Sequence, residues 1–307
     1  MRTRLLHAAA LVLLSLLWAA GSFRADLLPA SFSATLPFFF AAALPLALLA
    51  VFAAAIALLG RSPWPRGKHA LSALWIALGL FLAPAWLTHL AQSSVSSLAR
   101  VALFALVPVF AVVLEPHLDP IASRPPVSLA ASIAAVLGML LVFGLELPST
   151  LAAAAAQGAL MLAAFLIAAA NCHAVHIARV LPPRSLASFT ALAAAAAFAM
   201  LLASGFLLGP RLPSALHASA LLWPTLVDLP ALALLFWLFP RLSALHMTTR
   251  FLLAPLFAAL VSALIVAPRI SLRAACGLLL IAAASAWLLF APGESTPADV
   301  PLQITPD

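Results

Sequence analysis

The chain has 307 residues, of which 66% are hydrophobic and 7% charged, with a formal net charge of +7. A soluble domain carries roughly 25% charged residues, so no water-soluble fold of this length hides so much apolar surface, and the bilayer must be the solvent. The Lys/Arg excess then encodes orientation rather than nucleic-acid binding, and two cysteines, Cys172 and Cys276, give neither a disulfide framework nor a metal-ligand spacing.

A transmembrane helix needs about 20 apolar residues. Apolar runs divide the chain into ten predicted spans, at 5–22, 32–58, 69–90, 95–115, 128–145, 151–176, 186–208, 215–238, 244–266 and 272–291. Polar, Pro-rich or basic connectors separate most of them, among them GRSPWPRGK, PHLDPIASRPP, ARVLPPRS and APRISLR. Arg2 and Arg4 followed by an apolar run also read as a secretory signal peptide, the alternative to a first span. The polar, Pro-rich tail 294–307 reads as disordered and cytoplasmic.

With ten spans and the N-terminus inside, the inner side holds Arg2, Arg4, Arg61, Arg66, Lys68, Arg124, Arg179, Arg184 and Arg241. The outer side holds Arg24, Arg211, Arg269 and Arg273. Nine against four is the bias expected for two cytoplasmic termini.

Two spans look like copies of one another. Ser96–Pro116 reads SSLARVALFALVPVFAVVLEP, and Thr248–Pro268 reads TTRFLLAPLFAALVSALIVAP; PVFAVV and PLFAAL align without a gap, which matches Pro108 with Pro255. WAAGSFRADLLPASFSA after span 1 likewise resembles AAANCHAVHIARVLPPRSLASFTA after span 6. Repeat one then covers 1–147 and repeat two 148–293. Five spans is an odd number, so the second copy enters the membrane from the opposite face. The expected fold is all-α and polytopic, ten transmembrane helices in two inverted five-helix repeats, a recurrent plan of secondary transporters.

The segments LLWAAGSF (Leu16–Phe23), LFALVPVFAVV (Leu103–Val113), RLSALHMTTRFLLAPLFAAL (Arg241–Leu260) and PRISLRAACGLLLIAAASAWLLF carry a resemblance to the EamA-like members of the drug/metabolite transporter superfamily. The resemblance spans nearly the whole chain. It implies a non-enzymatic secondary transporter, often an exporter of small metabolites across the plasma membrane. Spans 1–4 and 6–9 would surround a central cavity, with spans 5 and 10 at the periphery.

Charges inside a bilayer are costly and usually face a cavity or a partner. Asp228, near the middle of span 8 between Pro224 and Pro230, suits a proton or substrate site, or an internal ion pair. Arg250 in span 9 lies where it could meet Asp228, and snorkelling is the alternative for it and for Arg100 in span 4. Glu115 near the inner end of span 4 reads as a solvated helix end or an inner gate. Pro108 and Pro255 are candidate hinges. His246 shares a face of span 9 with Arg250. Asn171 stands beside His173 and His176, which are spaced for one helix face but lack a third metal ligand. Trp18 and Trp86 are candidates for cavity contact, against packing or interface anchoring.

No Walker loop, HExxH, GxSxG or aspartate cluster is present, so neither a cofactor nor a metal is expected. The expected partners are the bilayer and a small, neutral, zwitterionic or amphipathic solute, with a homodimer left open. The alternatives are an intramembrane enzyme on a lipid-linked substrate, with Asp228, His173 or His176 converging on one pocket, and a non-transporting scaffold.

Overall fold

A chain this apolar must satisfy its backbone hydrogen bonds within each segment, because lipid offers no partners. In the computed structural model, which describes residues 2–21, 37–118, 126–144, 147–209, 222–266 and 271–290, every regular element is helical. The helices are α1 (Arg2–Gly21), α2 (Phe38–Leu59), α3 (Lys68–Ala91), α4 (Ser97–Phe104 continued by Val107–Leu118), α5 (Pro126–Phe143), α6 (Leu151–Val180), α7 (Leu186–Leu208), α8 (Pro224–Leu238), α9 (Ala244–Thr248 continued by Arg250–Val266) and α10 (Leu272–Phe290). Eight of them are long and apolar enough to cross a membrane, and α5 and α8 are shorter apolar helices. Large apolar side chains face outward, such as Val51 at 72% and Leu279 at 70% exposure. Such a surface is compatible only with lipid around it. This is an integral membrane protein. The tail 294–307 and the predicted orientation residues Arg24, Arg124, Arg211 and Arg269 lie outside the described residues.

The helices alternate in direction. One end of the bundle, the basic end, carries Arg61, Arg66, Lys68, Arg179, Arg184 and Arg241. Inter-helix hydrogen bonds join like ends. Ser188 Oγ donates to Pro63 O (2.7 Å) at the basic end, and Trp86 Nε1 donates to Ser204 Oγ (2.8 Å) at the other. At the non-basic end α5 finishes on Gly144 (φ 82°), and Arg273 donates from Nε to Leu141 O (2.8 Å) and from Nη2 to Leu140 O (3.2 Å). Those bonds satisfy carbonyls that the helix terminus leaves open.

Helix α2 packs on α7, α5 on α10, α3 and α4 on α6, and α1 on α8 and α9; α3 also meets α7, α2 meets α8, α4 meets α5 and α9, and α9 meets α10. Small residues permit the close crossings. A Cβ on Gly277 would come within 2.7 Å of Gly138 O, and one on Gly79 within 2.7 Å of the Ala170 Cβ.

Four helices are irregular, each for a local reason. In α3 a π-turn at Leu78–Leu82 precedes Pro84, and in α8 a π-turn at Pro224–Asp228 precedes Pro230. A proline donates no bond to the carbonyl four residues back and its ring crowds that carbonyl, here Leu80 and Leu226, so the helix widens. In α4 the break at 105–106 immediately precedes Pro108. In α9 the interruption falls at Thr249, while the helix continues through Pro255. Thr248 and Thr249 both turn their hydroxyls back on Leu245 O, at 2.9 and 3.0 Å. Such back-bonding bends helices, and it explains why α9 is interrupted ahead of its proline.

Candidate functional site

A cavity of about 480 Å³ lies between α1, α2, α3, α6, α8 and α9, within the roughly 300–1,000 Å³ usual for small-molecule sites. Its wall is mostly apolar, including Phe38, Pro45, Leu46, Phe81 and Ile167. Two ionisable side chains interrupt that wall, Asp228 and Arg250. Pro224 and the π-turn set Asp228 at the point where α8 resumes regular winding, half-exposed to the cavity.

Arg250 is 1% exposed. Its guanidinium carbon lies 4.7 Å from the centre of the Trp18 ring and 4.8 Å from that of Phe251. Nη1 donates to Met247 O (2.6 Å), a carbonyl at the interruption of α9, and Nε has no hydrogen-bond partner. The two rings tilt towards each other at 5.7 Å. A guanidinium held over aromatic faces keeps a low-dielectric charge in place without neutralising it. Arg250 is thereby preorganised toward an anionic or hydrogen-bond-accepting group, and Asp228 toward a donor.

Three of the residues singled out in the sequence therefore meet at one cavity, namely Trp18, Asp228 and Arg250, although α1, α8 and α9 are far apart in the chain. The others lie elsewhere. Arg100 is half-buried in the first turn of α4 at the non-basic end, with Nε unpartnered. Trp86 bonds Ser204 and packs on Phe39, with ring centres 5.2 Å apart. Asn171 is fully buried in α6; its amide donates to Ile167 O (2.7 Å) and its Oδ1 has no partner. His246 pairs its Nδ1 with Ser243 Oγ (2.6 Å) at the start of α9.

Glu115 is buried, at 3% exposure, rather than solvated. Its Oε1 accepts from the backbone N–H of Ala244 (3.2 Å), the first residue of α9. A carboxylate at a helix N-terminus is favoured by the unpaired N–H groups and the dipole there. Close by, Arg179 Nη2 at the end of α6 donates to Leu242 O (3.2 Å). These two contacts tie α4, α6 and α9 together at the basic end. At the opposite end a second cavity of about 350 Å³ opens between the starts of α2 and the ends of α3 and α7, lined by Phe38, Phe39, His89, Gly205 and Leu208. Sequence reasoning missed this second cavity and the stacking partner Phe251, whose only signal was its place next to Arg250.

No protein-family model and no curated protein matches the chain. A solved structure known only as the crystal structure of a protein superposes with a TM-score of 0.67, covering 93% of this chain and 97% of that one at 18% identity. At that identity the likeness shows the fold alone, a helical bundle of this architecture.

Proposed function

We propose that the chain is a secondary transporter that moves a small organic molecule by alternating access, with Asp228, Arg250 and Trp18 in the binding cavity. The observation that carries this reading is the central cavity itself. A buried arginine and a carboxylate both line it, and charges inside a bilayer usually face a cavity or a partner.

The reading includes a ten-span inverted repeat, which the helix contacts favour. Replacing each helix by the one five places later turns most neighbour pairs into one another: α3·α6 becomes α8·α1, α4·α6 becomes α9·α1, α3·α7 becomes α8·α2, and α2·α7 and α5·α10 map onto themselves, while α6·α9 at the basic end breaks the pattern. The two π-turns stand in α3 and α8, and Ser96 and Ser243 cap α4 and α9 by the same bond to the third residue on. The shift of 147 that superposes Pro108 on Pro255 also superposes Ser96 on Ser243. It places Ser262 opposite Glu115, so the carboxylate contact with the neighbouring helix belongs to the basic end alone. With both termini cytoplasmic, that end faces the cytoplasm. The path is then closed inside by Glu115 and Arg179 and approached from outside, in keeping with a plasma-membrane exporter of the EamA-like kind caught between export cycles.

Counterflow in proteoliposomes tests the proposal. Vesicles loaded with an unlabelled solute from a panel of organic anions, zwitterions and cations should show a transient overshoot of the labelled solute for at least one class, much reduced at the same concentration with Arg250→Met. A protein that reconstitutes folded yet gives no overshoot across the panel would overturn it.

A further inference from the structure

The two cavities share one residue, Phe38. We propose that the smaller one is a second cargo site on the outward path, with Phe38 as the movable partition between it and the central cavity. It would take a solute with an apolar body and a hydrogen-bond acceptor. The inference rests on the transport reading and adds to it a second site, a separating residue and a chemistry.

The position of Phe38 suits a partition. It is the first residue of α2, 44% exposed, following Pro37, which contributes no side-chain cap. Its ring stacks on His89 (5.9 Å, 23° between planes) and stands edge-on to Phe39 (5.2 Å, 88°). Its neighbours are fixed more firmly. Phe39 is buried and packs on Trp86, which is held by its bond to Ser204, and Phe40 closes on Gly205, where a Cβ would come within 3.1 Å of its ring. A half-exposed ring hinged on a fixed row can change rotamer without unpacking the bundle. It need only leave His89 to join the two spaces.

The chemistry follows from His89. Its Nδ1 lies 3.1 Å from the Gln92 amide nitrogen. With that amide as donor, Nδ1 accepts and the proton of the neutral ring sits on Nε2, which makes Nε2 a donor. The rings of Phe38 and Phe39 supply the apolar surface around it. Aromatic faces plus one donor is the same pairing that Trp18, Phe251 and Arg250 offer in the central cavity. A solute held in the first site thus meets matching contacts in the second.

The test reads access and recognition without needing the cargo. Single cysteines are placed at Ala42 in the central cavity and at Leu208 in the smaller one, in a Cys172→Ala, Cys276→Ser background of the full chain in vesicles. The probes are N-methylmaleimide and N-(4-carboxyphenyl)maleimide, which carries a ring and an acceptor. From the face of the smaller cavity, Phe38→Ala is expected to speed labelling at 42 by roughly tenfold or more, the effect of lowering a barrier by about 1.4 kcal/mol, and Phe38→Trp to slow it. Labelling at 208 should hardly respond to either. At 208 the carboxyphenyl reagent should outpace N-methylmaleimide relative to their rates with free cysteine, and His89→Phe should abolish that preference. Labelling at 42 that ignores residue 38, or no reagent preference at 208, overturns the inference. Absent counterflow with these labelling results intact would instead count against transport alone.

Discussion

Replacing Arg250 by methionine separates the roles a buried charge can play. In the folded protein Arg250 makes one charge-assisted hydrogen bond, to Met247 O, and two cation–π contacts, to Trp18 and Phe251. The first is worth about 1.5–3 kcal/mol and a desolvated cation–π contact about 2 kcal/mol. Against them stands the desolvation of a guanidinium at 1% exposure, which costs several kcal/mol even after relaxation. The terms nearly cancel, and methionine fills a similar volume. Asp228 is half-buried and lines the same cavity, so its carboxylate is not sealed in apolar packing when the arginine is gone. Arg250→Met should therefore melt close to the parent in a tryptophan-fluorescence ramp. Cargo recognition should suffer far more. Losing a charge-assisted bond of about 1.5–3 kcal/mol to the solute weakens binding about 10- to 150-fold, read as a rise in the half-saturating concentration for counterflow. Arg250→Lys keeps the charge but not the planar stack and should fall between. A variant that unfolds far below the parent, or one that transports as well as the parent, would refute the reasoning.

If Asp228 and Arg250 act together on one solute, a double-mutant cycle of Asp228→Asn and Arg250→Met on transport should show a coupling above about 0.5 kcal/mol, and strict additivity would sink the pairing. Glu115→Ala leaves the Ala244 N–H without its acceptor, at a cost of about 1–3 kcal/mol to the closed basic end. Labelling of Cys172, now buried beside Ala111, should then rise from the basic face in a Cys276→Ser protein, whereas an unchanged rate would remove Glu115 from the gate. Gly277→Ala forces a methyl within 2.7 Å of Gly138 O and should lower the melting temperature by overpacking worth about 1–3 kcal/mol, with the half-saturating concentration unmoved. A shift in that concentration would mean that α5 and α10 reach the site.

The helices were legible because an apolar run long enough for lipid has few alternatives. The predicted spans at 69–90, 151–176, 186–208 and 272–291 lie within a few residues of α3, α6, α7 and α10. The irregularities were half legible. Proline marks them, but the π-turn of α3 lies ahead of Pro84, and the interruption of α9 is set by two threonine hydroxyls rather than by Pro255. Arg250 and Arg100 looked alike, each an arginine early in an apolar span. Only the fold distinguishes them, since the Trp18 ring that receives Arg250 comes from the far end of the chain. Of the two readings of Glu115, the fold removes the solvated helix end for a similar reason. A carboxylate beside Pro116 reads as a solvated helix end until the N-terminus of α9 is brought against it. The smaller cavity left no signal, because a histidine and two phenylalanines in an apolar sequence describe packing equally well.

The account turns on one cavity being reached from one end at a time. Spin-label pairs across α4 and α9, at Leu98 and Leu260 near the non-basic end and at His117 and Ser243 at the basic end, measure this by pulsed dipolar spectroscopy on the protein in nanodiscs. Alternating access gives two distance populations for each pair that exchange in opposite senses, with Glu115→Ala lengthening the basic-end distance and shortening the other. A single unchanging population at both ends, in parent and variant alike, would contradict it.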